Sequence, residues 1–206
     1  MSLDGDYTGE RGSRVRNKIG LFFMILGAAL FFGALGLFLY NEVQAVRAEQ
    51  LSADVLHELV GQISEIHTEN AENQPLEMTE VTIDGYNYIG YLLVPELELE
   101  LPIMADWDYK RLKIAPCRYQ GTVNGENLVL MAHNYERHFG KLSELMEGSQ
   151  VIFTDMDGFS TFYEVTAKDV LVPTAVNEVT DSDFDLVLFT CTYGGKSRIT
   201  IYCNKK

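Results

Sequence analysis

Residues 185–203 read DLVLFTCTYGGKSRITIYC, two apolar runs separated by a Gly-Gly turn. That arrangement predicts a β-hairpin, with Cys191 ending its first strand and Arg198 beginning its second. Pairing of the two strands would bring the thiol and the guanidinium together. A nearby positive charge favours the thiolate, and a guanidinium can stabilise a developing oxyanion. The stretch therefore predicts a candidate nucleophilic cysteine at a strand end.

The rest of the second half of the chain carries further short apolar runs with strand periodicity. Strand candidates are 86–94, 97–101, 112–115, 127–132, 151–154, 162–172, 185–190 and 198–203. One short helix is predicted at about Gly140–Met146, and turns at Asp84-Gly85 and Asp157-Gly158. Many short strands without alternating long helices predict a mainly β fold, a closed β-barrel of about eight strands with short helices.

The N-terminal part differs, because Ile19–Tyr40 is 22 residues long and has no charge. A helix of that length spans about 33 Å, enough to cross a bilayer and too long for a cleaved signal peptide. The basic residues before it (Arg11, Arg14, Arg16 and Lys18) predict a cytosolic N-terminus and an extracytoplasmic C-terminal part. The predicted organisation is a cytosolic tail 1–18, a transmembrane signal-anchor 19–40, a helical stalk and linker 41–79, and a β domain 80–206.

Composition excludes several classes of protein. The chain has 206 residues, is 47% hydrophobic and carries a net charge of −14. It is too apolar to be disordered and too acidic for non-specific binding to nucleic acid. Three cysteines are too few for a disulfide framework. Cys203 shares a strand face with apolar residues and is expected in the core, and a disulfide between Cys117 and Cys203 stays an open alternative.

A nucleophilic thiol needs an acid–base partner, and the chain has four histidines. His57 and His67 lie among polar residues of the stalk and are expected to be solvated. His133 ends the strand candidate 127–132, so it also lies at a strand end. His138 follows in a loop and has no clear role.

At this point the sequence resembles the sortases, membrane-anchored cysteine transpeptidases of Gram-positive bacteria. The resemblance rests on Thr190-Cys191, Arg198, His133-Asn134 followed by Phe139-Gly140-Lys141-Leu142, and Leu97–Ile103 ending in Leu-Pro-Ile. Val187 and Ala132 replace a Thr and a Gly that are common in the family. No apolar segment follows Cys203 in this sequence, which makes pilus assembly the less expected task. These features suggest a class D-like or class B-like enzyme.

The resemblance implies catalytic roles for His133, Cys191 and Arg198, and substrate-binding roles for Thr190 and Asn134. The implied substrates are secreted proteins with a C-terminal Leu-Pro-x-Thr-Gly-like sorting signal, and the implied acceptor is an amine of a cell-wall precursor. No cofactor is expected. Some sortases bind calcium, for which Glu98, Glu100, Asp155 and Asp157 are the candidate ligands here, although a solvated acidic face is the simpler interpretation.

Two other functions remain open. A cysteine hydrolase could use the same residues, with water resolving the acyl-enzyme, and no residue separates it from a transpeptidase. A membrane-tethered β-barrel that only binds a partner is the third alternative. The order of His133, Cys191 and Arg198 weighs against it.

Overall fold

The computed structural model describes residues 9–66, 77–125 and 127–206 and forms two units, which divide after Gln44. One continuous helix, α1 (Gly9–Ile66), contains both the apolar span and the predicted stalk. Among the described residues, Ile19–Ile63 contains the one segment that is long and apolar enough to cross a membrane. Residues 1–8, His67 and most of the predicted linker lie outside the described residues.

The second unit is built mainly of short strands. These are β1 (Val81–Ile83), β2 (Tyr86–Val94), β3 (Leu99–Met104), β4 (Cys117–Gln120), β5 (Leu128–Ala132), β6 (Gln150–Asp155), β7 (Ser160–Leu171), β8 (Leu186–Cys191) and β9 (Arg198–Lys205). One short helix, α2 (Asn177–Thr180), lies between β7 and β8, and 3₁₀ turns occupy Pro95–Leu97, Arg111–Lys113 and Leu142–Glu144.

Eight of these strands close into a barrel, as the sequence predicts. Their order is β2-β3-β4-β5-β8-β9-β7-β6, and pairing of β6 with β2 closes the ring, while β1 extends β2 at the outside. The closure requires a close approach at Gly90, which has a φ of +142°. A Cβ at Gly90 would collide with the Thr154 carbonyl oxygen, so only glycine fits there.

Two predicted elements are wrong in detail. The apolar run 112–115, predicted as a strand, lies in the 3₁₀ turn Arg111–Lys113 and the residues after it. The Asp108 carboxylate accepts hydrogen bonds from the backbone N–H groups of Lys110 and Arg111, at 2.6 and 2.8 Å, and so stabilises the turn. The predicted helix Gly140–Met146 is reduced to the single 3₁₀ turn Leu142–Glu144.

The strand predicted at 97–101 begins later than expected. Pro95 starts a 3₁₀ turn that includes Leu97, and Glu98 then takes a left-handed conformation with a φ of +53°. Strand β3 begins only at Leu99. The stretch in which Leu and Glu alternate therefore forms a turn up to Glu98 and a strand from Leu99 onward. The sequence patterns also missed β1, β4 and α2.

Three groups of buried apolar residues hold the second unit together. The largest fills the barrel and includes Leu130, Leu188 and Ile201. A second group joins α1 to the outside of β2–β4 through Val55, Leu59 and Ile63. The third lies under α2, on the outer face of β5, β8 and β9.

The cysteines are all free thiols, so the disulfide considered between Cys117 and Cys203 does not form. Cys203 is buried in the barrel, as predicted, whereas Cys117 lies in the separate group beside α1. Burial raises the pKa of each of these two thiols to about 12. Both thiols therefore remain protonated and are poor nucleophiles. Cys191, the third cysteine, is half-buried.

Candidate active site

Strand register brings the three predicted catalytic residues to one end of the sheet. Cys191 ends β8 and Arg198 begins β9, and the two residues pair directly across the antiparallel ladder. Strands β5 and β8 run parallel with Ala132 opposite Thr190. His133 is the next residue after β5, and Cys191 is the next residue after Thr190. His133 therefore lies beside Cys191 at the same end of the sheet. All three side chains line a single pocket.

The pocket has a volume of about 210 Å³ and lies on the outer face of the barrel. Its floor is formed by Met131 and Phe189, which belong to β5 and β8. We call the residues on the two sides the aliphatic wall (Val172, Pro173, Ala175, Val176 and Val179) and the aromatic wall (Trp107, Tyr109 and Tyr119). No Asp or Glu among the described residues lines it, so the pocket is apolar apart from its catalytic end.

The local fold after β5 holds His133 in a tight loop. The backbone carbonyl of His133 accepts a hydrogen bond from the Phe139 N–H, and that of Tyr135 accepts one from the Gly140 N–H at 2.9 Å. A Cβ at Gly140 would lie 2.6 Å from the Tyr135 carbonyl oxygen, so glycine is required for this turn. The His133 ring also packs on Tyr135, with 5.0 Å between ring centroids.

Electrostatics favour a neutral His133. Burial lowers the pKa of its imidazole, and the positive charge of Lys113 lowers that pKa further. A neutral imidazole can accept a proton from an attacking amine. Its protonated form, which can donate one, is the minor form at neutral pH.

The Arg198 guanidinium is held at the hairpin turn. Its Nη1 donates hydrogen bonds to the carbonyl oxygens of Gly195 and Ser197, at 3.2 and 3.1 Å. Within the described part of the chain, no residue accepts a hydrogen bond from its Nε or Nη2. An arginine has five N–H donors, so the remaining ones can serve a substrate oxygen.

The two predicted substrate-binding residues differ in position. Thr190 lines the pocket but is only 2% exposed, and its hydroxyl donates to the Ala132 carbonyl oxygen at 2.9 Å. Asn134 is half-buried and follows His133, yet it is not among the residues that line the pocket. Their substrate-binding roles stay predictions.

The remaining histidines lie outside the pocket. His57 is exposed on α1. His138 is fully buried in the loop after His133, and neither of its ring nitrogens has a hydrogen-bond partner. Burial lowers the pKa of His138 to about 4, with a smaller contribution from His133. His138 is therefore neutral at physiological pH.

Two of the four acidic residues considered for calcium, Asp155 and Asp157, are engaged with other groups. Asp155 accepts hydrogen bonds from the backbone N–H groups of Asp157 and Phe159, at 3.0 and 2.9 Å. Asp157 accepts one from the Thr79 hydroxyl at 2.8 Å. Within residues 9–66, 77–125 and 127–206, no group of three or more His, Cys, Asp or Glu side chains is arranged to hold a metal ion.

Sequence patterns missed the two walls of the pocket. Trp107 and Tyr109 of the aromatic wall come from the turn between β3 and β4, where they alternate with Asp106 and Asp108. Two large aromatic side chains in an otherwise charged turn are the signal that could have indicated it. The aliphatic wall follows β7 and has no such signal, because apolar residues after a strand usually pack in a core.

Comparison with known proteins identifies the family. A family model described as the sortase domain matches residues 92–206, more than half of the chain. Among proteins of curated function, none matches the sequence.

Several solved structures share the fold. A sortase D5 transpeptidase from Clostridium perfringens is 17% identical with a TM-score of 0.58, covering 76% of this chain and 99% of its own. A C. perfringens sortase C with the C-terminal cell wall sorting motif is 25% identical with a TM-score of 0.53, and the match covers 74% of this chain and 90% of that one. Sortase A from Corynebacterium diphtheriae is 16% identical with a TM-score of 0.54, and the match covers 80% of this chain and 93% of that one. Family match, barrel and pocket agree, and the chain belongs to the sortase family of transpeptidases.

Proposed function

We propose that the chain is a membrane-anchored cysteine transpeptidase that cleaves a C-terminal Leu-Pro-x-Thr-Gly-like sorting signal and joins the new carboxyl end to a cell-wall amine. The observation that carries this proposal is the register of β5, β8 and β9, which sets Cys191 between His133 and Arg198 at one pocket. The related sortase C was solved with a C-terminal cell wall sorting motif, which supports a peptide of that class as the substrate.

In the first half-reaction, the Cys191 thiolate attacks the carbonyl carbon of the Thr–Gly bond and forms a C–S bond. Arg198 donates hydrogen bonds to the oxyanion that develops. The C–N bond then breaks, and protonated His133 gives its proton to the departing amine. The products are a thioester on Cys191, a neutral His133 and a free glycine amine.

In the second half-reaction, a neutral acceptor amine attacks the thioester carbon. A C–N bond forms, the proton of the attacking amine passes to His133, and the C–S bond breaks to restore the thiolate. Three side chains supply nucleophile, proton carrier and oxyanion donor, so we propose that the reaction uses no metal or organic cofactor.

The membrane helix suits this activity. Basic residues precede the span, so we propose that the N-terminus is cytosolic and the barrel extracytoplasmic. Secreted proteins and lipid-linked cell-wall precursors both occur at that membrane surface. Residues 19–40 would keep the enzyme there.

The test uses the full chain in detergent with a sorting-signal peptide and an added primary amine. We expect the wild type to form the peptide–amine conjugate, C191A to form none, and the control C117A, which removes a buried thiol away from the pocket, to retain activity. Activity in C191A would overturn the proposal. Release of only the free acid at high amine concentration would favour a hydrolase, and peptide binding without cleavage would favour a binding module.

A further inference from the structure

We infer that the outer part of the aromatic wall, Trp107 and Tyr109, binds the amine acceptor of the second half-reaction rather than the sorting signal. The inference rests on the proposed roles of Cys191, His133 and Arg198. It assigns the acceptor class as a primary amine on an apolar stem, which is cationic when it arrives.

Strand order gives the pocket two distinct sides. Across the sheet the order is β7-β9-β8-β5-β4, and Leu171 at the end of β7 pairs with Arg198. The aliphatic wall follows directly after Leu171 and therefore lies on the arginine side of Cys191. His133 lies on the opposite side, and beyond it β4 contributes Tyr119 of the aromatic wall.

The chemistry assigns a substrate to each side. The acyl part of the sorting signal keeps its carbonyl oxygen near Arg198 in both half-reactions. The departing amine takes its proton from His133, and by microscopic reversibility the incoming amine gives its proton to the same nitrogen. The acceptor must therefore approach on the histidine side, where the aromatic wall stands.

The aromatic wall is fixed at its base and exposed at its outer end. The Tyr119 ring packs edge-on against the Phe189 ring, with 5.6 Å between the ring centroids. The Trp107 ring stacks on the Tyr119 ring, also with 5.6 Å between centroids and with an interplanar angle of 27°. Tyr109 packs edge-on against Trp107 at 6.1 Å. Trp107 is nevertheless 39% exposed and Tyr109 76% exposed. The rings thus present ordered aromatic surface to solvent at the edge of the pocket.

Inside the pocket, an ammonium group has few partners other than these rings. No carboxylate of the described residues lines the pocket, so no ion pair with the acceptor forms inside it. The face of an indole or phenol ring attracts a cation, and its apolar surface accepts the stem of the amine. The net charge of −14 further raises the local concentration of cationic acceptors. A cation–π contact is weak enough for the ammonium to lose its proton to water before the attack, which leaves His133 neutral to accept the proton of the attacking amine.

The first test measures turnover of a sorting-signal peptide by the full chain in detergent, with glycylglycine methyl ester or cadaverine as the amine. For W107A and Y109A we expect the KM of the amine to rise about 3- to 30-fold, the range of a cation–π contact. At limiting amine, a larger share of the consumed peptide should be released as free acid. Y109F keeps the ring and should resemble the wild type.

The matched control is Y193A, because Tyr193 is 92% exposed in the turn between β8 and β9 and does not line the pocket. An unchanged amine KM in W107A and Y109A overturns the inference. Slower peptide consumption without amine would instead assign the wall to the sorting signal. A wild-type chain that consumes no peptide overturns the proposed function itself.

A second measurement needs no turnover. Trp107 is the only tryptophan of the chain, so its fluorescence reports directly on the aromatic wall. Titrating C191A with each amine should change the emission saturably, and Y109A in the C191A background should weaken that binding. Absence of a saturable change with either amine would contradict the inference even if peptide is cleaved normally.

Discussion

The Thr190 hydroxyl donates a 2.9 Å hydrogen bond to the backbone carbonyl oxygen of Ala132. The two residues are register partners on the parallel strands β8 and β5. Each directly precedes a proposed catalytic residue, Cys191 or His133. This buried bond therefore ties the nucleophile strand to the histidine strand at the point where both enter the pocket.

The first prediction concerns T190V, which keeps the shape of the side chain but removes the hydroxyl. The Ala132 carbonyl oxygen loses a buried hydrogen bond, which should lower the free energy of unfolding by about 1–3 kcal/mol. If the bond positions Cys191 against His133, kcat for peptide cleavage should fall while the KM of the peptide changes little. T190S should restore both values. A rise in KM alone would support substrate binding by Thr190 instead.

Thr200 offers a matched control for T190V. It is also a fully buried strand threonine, but its hydroxyl has no hydrogen-bond partner among the described residues. We expect T200V to leave the free energy of unfolding unchanged or to raise it, because a buried unpaired hydroxyl is removed. Chemical denaturation of both variants measures the difference.

The second prediction concerns the pH dependence of cleavage. The ordinary pKa of a histidine is 6.5, and burial followed by Lys113 lowers that of His133. The reacting pair, the Cys191 thiolate with protonated His133, holds one proton in total. The acid limb of kcat/KM for the peptide therefore reports the binding of a second proton to the pair and should lie below pH 6.5. K113Q removes one of the two causes that lower the pKa of His133. That pKa should therefore rise, and the acid limb should move to higher pH. The change should shrink at high salt, because Lys113 is exposed.

Lys110, exposed in the same turn, provides the control for that shift. K110Q removes an equal charge that does not contribute to the pKa of His133. The acid limb should remain where the wild type has it. Equal shifts in K113Q and K110Q would mean that the whole surface potential, rather than Lys113, acts on the site.

The third prediction concerns acid stability and His138. Burial lowers the pKa of His138 from 6.5 to about 4, so the unfolded chain binds the proton more tightly. The contribution of neutral His138 to the free energy of unfolding is complete above pH 6.5 and is lost as the pH falls to about 4. The loss over this range amounts to ~3 kcal/mol. H138M should lose less stability over this window. Urea denaturation at a series of pH values compares it with H57M, a substitution at an exposed histidine.

The fourth prediction concerns the packing of α1 on the barrel. Leu59 is fully buried in the group that also includes Leu112, a residue that lines the pocket. L59A should lower the free energy of unfolding of the second unit by about 2–5 kcal/mol. L51A, on the same helix but 49% exposed, should change it by less than about 1 kcal/mol. Similar losses in both variants would show that helix propensity, not packing, is responsible.

Local patterns predict those parts of the fold that depend on neighbouring residues. The observed β2 has the predicted bounds 86–94, and β8 and β9 form the hairpin expected from residues 185–203. The run 112–115 could not be assigned in the same way, because four apolar residues fit a buried turn as well as a strand. Asp108, outside the run, decides between them by its hydrogen bonds to the turn.

The hairpin with Cys191 and Arg198 could be deduced from the sequence by itself, because only six residues separate them and a tight turn leaves little choice of pairing. The position of His133 depends on the parallel pairing of β5 with β8, between residues 58 positions apart such as Ala132 and Thr190. The aromatic wall likewise depends on the stacking of Trp107 on Tyr119. Such contacts join residues that are distant in the sequence, and their energy comes from burial and register that no local pattern contains. The sequence indicated His133 by its strand end and its motif. Only the tertiary structure brings that residue to the pocket of Cys191 and makes one side of the pocket aromatic.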